Sequence, residues 1–407
     1  MSVIKNLRQG ADVPDRDLPA AALVRLRVAV TLFFALGGFL FAGWAVRIPA
    51  LKQQVDASPG SLGLALLCLT GSAVLTMAVT GRLCERFGSR QITIVTAVLL
   101  SVAIVPPALT HSAVGLGLTL VLFGVAFGGI DVAVNSVAVD LIAALRRPVM
   151  PSFHAANSFG SLGGAALGGL LAAHLSPAQH MLLLVPAGLA ASAIGGRMLM
   201  AHPLTGADAA AGHASGPAPR RRVWGTVVFF GLIGLCAAYC QGALDNWIPL
   251  HIREDLGSGE TVAATGYAVI QLIMGVMRLS GITLVERLGA TRVTVFGGMI
   301  ACAGTLVAAL APSVPVVFAG LVATGVGLAN IFPIAMAQAG AAGGPGGIAM
   351  AATLGYCGIL AAPPSIGLLA DVIGLSRALT LIALSAAAAA AIAYAIRPRA
   401  EQLPVRT

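Results

Sequence analysis

Two ionisable side chains stand inside long apolar runs of this sequence, Asp131 and Arg278. An ionisable group held in hydrocarbon is costly enough to be a functional hypothesis in itself. Asn135 follows Asp131 by one helical turn, on the same face. A carboxyl group there can be neutral in one half of a cycle and charged in the other, as coupling to a proton requires. The plainer reading is an aspartate fixed in a hydrogen-bond network with Asn135 or Arg278. Arg278 shares a helical stripe with Gln271, seven residues earlier. It can clamp a carboxylate or phosphate through two parallel bonds, or simply neutralise Asp131. Gln241 and Asp245 lie one turn apart toward the end of another run, with Trp247 close by. Asn157, Asn330, Trp44, Tyr267 and Tyr356 can offer amides and aromatic faces to a polar, sugar-like ligand. Aromatic residues near helix ends are also ordinary anchors at a membrane interface. His154 can change charge near neutral pH, although a hydrogen bond to a neighbouring loop is the simpler role.

The elements that must position these residues follow from composition. The chain of 407 residues is 58% hydrophobic and 10% charged, with a mean hydropathy of +0.93, far outside the range of soluble domains. A helix needs roughly 20 apolar residues to cross a bilayer. Twelve runs of that size occur, near 28–49, 61–82, 91–110, 115–143, 152–173, 179–201, 224–250, 262–285, 293–312, 314–337, 347–370 and 376–396. A bilayer forces backbone groups to pair within each segment, and the short alternating segments of a membrane barrel are absent, so the runs are read as helices. The first 25 residues lack the compact apolar core and cleavage site of a signal peptide, so the first run is expected to remain as helix 1. If the N-terminus is cytoplasmic, cytoplasmic segments hold nineteen of the 24 Lys and Arg and outer segments hold four, which predicts both termini inside. The net charge of +9 is then a topology signal, and no nucleic-acid partner is called for. The six cysteines show neither a disulfide framework nor metal spacing. No phosphate-binding glycine loop, nucleophile–base pair or metal set is visible, so neither an enzyme nor a cofactor is expected.

The chain also repeats itself. LCERFGSRQIT at 83–93 returns as LVERLGATRVT at 284–294; RIPAL at 47–51 is echoed by WIPLH at 247–251, and GLLAAH at 169–174 by GLLADV at 367–372. Offsets near 200 divide the chain into two six-helix halves of the same topology, which suggests parallel repeats. The expected segments are a cytoplasmic N-terminal stretch 1–27, bundles at 28–200 and 223–396, a Gly-, Ala- and Pro-rich linker at 201–222, and a tail at 397–407.

GRLCERFGSR at 81–90 resembles the helix 2–3 loop signature of the major facilitator superfamily, with a weaker copy at the helix 8–9 loop and Glu85 where Asp is usual. The resemblance covers the whole chain and implies an all-α membrane protein with twelve transmembrane helices in two six-helix pseudo-symmetric bundles. It further implies an inner gate built from Gly81, Arg82, Glu85, Arg86, Gly88, Arg90, Glu286, Arg287 and Gly289, whose ion pairs stabilise the outward-open state. Helices 1 and 7 face each other in that fold, which makes Arg47 and Asp245 a candidate outer gate; two solvated end-of-helix charges are the alternative.

FAGWAVRIPALK, GGIDVAVNSV, SFHAANSFGSLGG, QGALDNW and GYCGILAAPPSIGLLAD look like the fucose-permease-related branch. Fucose permease is similar in carrying a carboxylate on helix 4, but its helix 1 carboxylate has no counterpart here. An acidic residue is common in those permeases where Gln241 stands. The helix 5 glycines from Gly160 to Gly169 match the exporter motif of drug antiporters only in part, and Leu120 stands where exporters have a buried Arg. The expected function is a secondary transporter in the cytoplasmic membrane, moving a small polar, sugar-like metabolite by alternating access with a proton, or sodium, as coupling ion. The expected working form is a monomer. A drug or secondary-metabolite exporter is the second reading, and a membrane sensor or scaffold that transports nothing is the third.

Overall fold

The computed structural model describes residues 20–145, 149–201 and 221–397. In the first half, α1 (Ala20–Ala45) is followed by a short α2 (Ile48–Gln54), α3 (Pro59–Phe87), α4 (Ser89–Ala103), α5 (Ala113–Leu145), α6 (Met150–Leu171) and α7 (Pro177–Met200). The second half runs α8 (Arg221–Glu254), α9 (Glu260–Leu279), α10 (Gly281–Leu288), α11 (Ala290–Ala309), α12 (Val314–Leu328), α13 (Ile331–Ile373), α14 (Leu375–Ala378) and α15 (Thr380–Ala395). The continuous helix α13 is broken at Gly344, whose φ of 60° and ψ of −149° are not helical, so it holds the end of one span and the whole of the next.

Eleven stretches of the described residues are long and apolar enough to cross a membrane. The remaining long helix, α6, is made less apolar by His154, Asn157, Ser158 and Ser161. Several boundaries differ from the sequence expectation, among them that of the tenth span, which runs to Gly344 rather than 337. The first helix begins at Ala20 rather than 28, because Ala22 and Leu26 find buried packing. The seventh continues past 250 to Glu254, with Pro249 inside its last turns. The expected linker and terminal segments lie largely outside the described residues.

Local chemistry sets several helix ends. Ser176 and Gln179 form a reciprocal capping box at the start of α7, and Ser58 accepts from the backbone N–H of Ser61 at the start of α3. Gly88 ends α3 and starts α4 in a single residue; its φ of 89° is open to glycine at little cost, and its N–H reaches the Cys84 carbonyl at 2.8 Å. Gly289 does the same between α10 and α11, with φ of 82°. The repeated loop glycine therefore has a backbone reason in both halves.

Lipid is as apolar as leucine, so helices associate through close backbone approach rather than through the hydrophobic effect. Leu75, Val114, Leu118 and Val372 are accordingly left exposed. Against α1, a side chain at Gly160 or Gly164 would overlap the backbone of Ala35 or Phe39.

The two halves meet along α3 against α13 and α6 against α9. Their polar contacts gather at the face where α1 and α8 end, called here the far face. Arg47 Nη1 donates to Glu260 Oε2 at 2.7 Å, and its Nη2 donates to the Leu175 carbonyl. Thr261 Oγ1 donates to the Gly169 carbonyl at 2.7 Å. Asp371 of α13 receives the Gly60 N–H at 3.1 Å and Ser58 Oγ at 3.2 Å, so it caps α3 from the other half. Lys52 pairs with Glu254 at 2.8 Å, an exposed contact of small worth. The far face is closed.

Within the second half, Asp255 receives Ser376 Oγ at 2.7 Å and lies 2.7 Å from His251 Nδ1. Burial opposes its charge, but these hydrogen bonds prevail and hold its carboxyl below the ordinary value. A depressed acid contributes stability above its unfolded pKa of about 3.9 and loses it as pH falls through the folded value. This brace therefore persists across the neutral range.

Gly160→Leu is expected to separate α1 from α6 and cost about 1–3 kcal/mol, seen as a lower melting temperature in detergent. Unchanged melting would show that the stripe is not packed.

Candidate functional site

The α6–α9 seam carries a polar network from the far face into the middle of the molecule. On α8, Gln241 and Asp245 are spaced i, i+4; on α9, Tyr267, Gln271 and Arg278 fall at i, i+4 and i+11, so each set shares one face. Gln271 Nε2 donates to Asp245 Oδ1 at 2.9 Å. Tyr267 lies within side-chain reach of Asp245 and of Ser161 of α6. Arg278 Nη2 donates to Gln241 Oε1 at 3.0 Å, and its Nη1 crosses between the halves to Ser158 Oγ at 2.9 Å. The charges of Arg278 and Asp245 also act on each other. Tyr267, Gln271, Ser158 and Ser161 are buried, while Arg278, Gln241 and Asp245 are half-buried. His154, on the same helix as Ser158, lies within electrostatic reach of Arg278 and packs edge-on against Phe34 at 5.4 Å.

A second, smaller cluster stands on α5. Asn135 Nδ2 donates to the Asp131 carbonyl at 2.8 Å and lies 3.4 Å from Asp131 Oδ1. Asp131 acts electrostatically on Tyr356 of α13, in the opposite half, so the carboxylate faces the space between the halves. Asp131, Asn135 and Tyr356 are all half-buried.

Several expectations are redirected. The Arg47–Asp245 outer gate is not formed: Arg47 pairs with Glu260, and Asp245 pairs with Gln271 in the interior. The cause is the longer α8. Nine residues separate Asp245 from Glu254, which places the carboxylate about 13 Å in from the helix end. Nor is Arg47 solvated, being 1% exposed. Burial lowers its pKa and Glu260 opposes that shift, but a guanidinium stays charged regardless. Arg278 is held by Ser158 and Gln241 rather than by Asp131, and its charge acts on that of Asp245 without direct contact. Asn330 donates to the Met277 carbonyl at 3.0 Å and braces the break between α9 and α10 instead of offering its amide to the space between halves. Asn157 donates to the Phe34 carbonyl at 3.1 Å, leaving its oxygen available. Trp44 is buried against Phe41 and Phe123 rather than at an interface.

Ser158, Ser161 and Glu260 were missed. Serines on a glycine-rich helix read as packing residues, and Glu260 sits just outside its apolar run. The i, i+4 pairs Gln241–Asp245 and Tyr267–Gln271 were the signal that a polar face turned inward.

In the loop motif, Arg82, Glu85 and Arg86 are exposed, as are Glu286 and Arg287. The Arg86 guanidinium lies 5.2 Å from the ring centre of Phe87. Arg90 interacts with Asp140 of α5 and so ties α4 to its own half.

Comparison with known proteins agrees with this fold. Residues 28–345 match the Major Facilitator Superfamily. The chain is 32% identical over 367 residues to the uncharacterized transporter y4wD of Sinorhizobium fredii, covering 89% of this chain and 96% of that one. It is 29% identical to the membrane protein MosC of Rhizobium meliloti, covering 87% and 86%. Among solved structures it is similar to the xylose transporter XylE from E. coli in a partially occluded inward-open conformation, with a TM-score of 0.72 at 12% identity over 92% of this chain and 99% of that one. A bacterial homologue of the human lysosomal transporter Spinster, inward-facing and unoccupied, gives a TM-score of 0.75 at 13% identity over 96% and 100%. At such identities the structural likeness speaks for the fold alone. With the twofold repeat, the helical bundles and a match over most of its length, this chain belongs to the Major Facilitator Superfamily of membrane transporters.

Proposed function

We propose that the chain is a proton-coupled permease that carries a small polar, sugar-like solute across the cytoplasmic membrane by alternating access. The observation that carries this reading is the pair of polar contacts on facing helices, Asp245 with Gln271 and Arg278 with Gln241 and with Ser158 of the other half, between which the charges of Asp245 and Arg278 act on each other. Its charge balance rests on one proton. With Asp245 ionised, the Arg278 charge is compensated; with Asp245 protonated, Arg278 must find another acceptor, on the protein or on a solute. Asp131, whose hydrogen-bond partner is the neutral Asn135, is the second carboxylate that can exchange a proton with the space between the halves. Amides of Gln241, Asn135 and Asn157, with the Tyr356 hydroxyl, supply the mixed donors and acceptors that hydroxylated solutes need.

On this reading the far face is outer, both termini are cytoplasmic, and the chain works as a monomer without a cofactor. The closed far face is then the inward-facing state. Exposure of Arg82, Glu85 and Arg86 fits a loop motif whose charges pair only when the opposite conformation forms.

The test is uptake into proteoliposomes driven by a pH gradient, across a panel of sugars, sugar acids and lipophilic cations. Wild type is compared with Asp245→Asn and Asp131→Asn, and counterflow is measured beside accumulation. A carboxylate that couples the proton loses gradient-driven accumulation on the order of 5–150-fold and keeps counterflow. Undiminished accumulation in both variants makes both carboxylates structural. Driven efflux of lipophilic cations alone makes the protein an exporter, and absence of flux for every solute favours a sensor. Orientation is checked separately: a cysteine replacing exposed Gln53 is expected to react with an impermeant thiol reagent from outside intact cells.

A further inference from the structure

At the far face, His180 of α7 is wholly buried, and neither of its ring nitrogens has a hydrogen-bond partner. Buried polar groups are nearly always satisfied, so an imidazole orphaned at both nitrogens needs a reason. Its surroundings supply one. It lies on the first turn of α7, five residues after Leu175, whose carbonyl receives Arg47. A side chain at Gly168 of α6 would touch both the His180 ring and Val46, the residue before Arg47. The guanidinium of Arg47, itself 1% exposed and with Nε unpartnered, acts electrostatically on the imidazole.

We propose that His180 is a proton-binding site of the far-face gate: neutral while Arg47 is docked on Glu260 and Leu175, and able, once protonated, to expel Arg47 and favour opening. Two cations cannot share a buried, low-dielectric site with one carboxylate between them, because the repulsion is unscreened. A neutral imidazole leaves the gate undisturbed. When the gate loosens and water reaches His180, an acidic solution on that side supplies the proton, and the charged imidazole bars the return of Arg47.

The charged groups facing His180 are Arg47, from the α1–α2 junction, and Glu260 of α9 through Arg47. The neighbouring α6 contributes Gly168, and His174, in the turn before α7, is exposed. Protonation of the Asp255 carboxyl is not the source, because that group is held low. On the reading proposed above, the far face is outer, so external acid would favour the state that accepts solute and proton from outside.

The experiment places spin labels at Ser112 and Leu310, both exposed, one in each half, in full-length protein with its native cysteines replaced. Distances are measured in nanodiscs at pH 8 and pH 5. It needs neither a transported solute nor an assigned orientation, so its failure is distinguishable from failure of the transport reading. Wild type is expected to gain the longer, far-face-open distance at pH 5, by a population ratio on the order of tenfold. His180→Gln is expected to show no such gain, while His174→Gln, at an exposed site in the turn before α7, keeps it. His180→Lys, whose ammonium is charged at both pH values once water reaches it, is expected to be open at both. A wild type that does not respond, an undiminished response in His180→Gln, or a closed His180→Lys would each overturn the proposal.

Discussion

A guanidinium in the middle of a membrane protein must be compensated, and the placement of Arg278 organises the interior of this one. Its compensation draws on three helices: Asp245 and Gln241 from α8, Gln271 from its own α9 through Asp245, and Ser158 from α6. Because Ser158 belongs to the other half, the charge balance of one bundle is felt by its partner. Coupling between a proton and a change of shape needs this kind of arrangement, in which a group's charge and an interface contact are not independent.

The far face is built on a different scheme. Its contacts are helix-end contacts, with Asp371 on the first turn of α3 and Thr261 on the last turn of α6, and with Arg47 at the junction of α1 and α2. The GLLAAH and GLLADV echoes of the two repeats supply corresponding halves of this closure. The repeat that reads as duplication in the sequence is thus a pair of related latches in space. The two sides differ in chemistry: one sets the Asp371 carboxylate on the Gly60 N–H and the Ser58 hydroxyl, and the other sets the Thr261 hydroxyl on a carbonyl beside the Arg47–Glu260 pair.

Glycine does the packing work between these polar layers. On α6 it brings α1 to backbone contact, and at Gly88 and Gly289 it reverses the chain in one residue. Large aliphatic side chains fill the core, and many others lie outward, where lipid accepts them at no cost.

The sequence by itself determined that the chain is helical and crosses a membrane, that it is two repeats, and that Asp131 and Arg278 are out of place in lipid. Those conclusions depend on composition, periodicity and the cost of burying charge, all of which are local. Partner choice was decided only by the tertiary structure. Arg47 and Asp245 look like a pair when helix ends are judged from apolar runs, but α8 continues four residues past the expected 250 and moves Asp245 inside. Glu260 then becomes the partner of Arg47, and Arg278 takes Gln241 and Ser158 rather than Asp131. His180 carries no signal in the sequence, since nothing local shows that its neighbours leave both nitrogens unpaired. Contacts between residues more than a hundred positions apart depend on how helices are shifted along their axes, and a shift of one turn exchanges every partner without altering a single local preference.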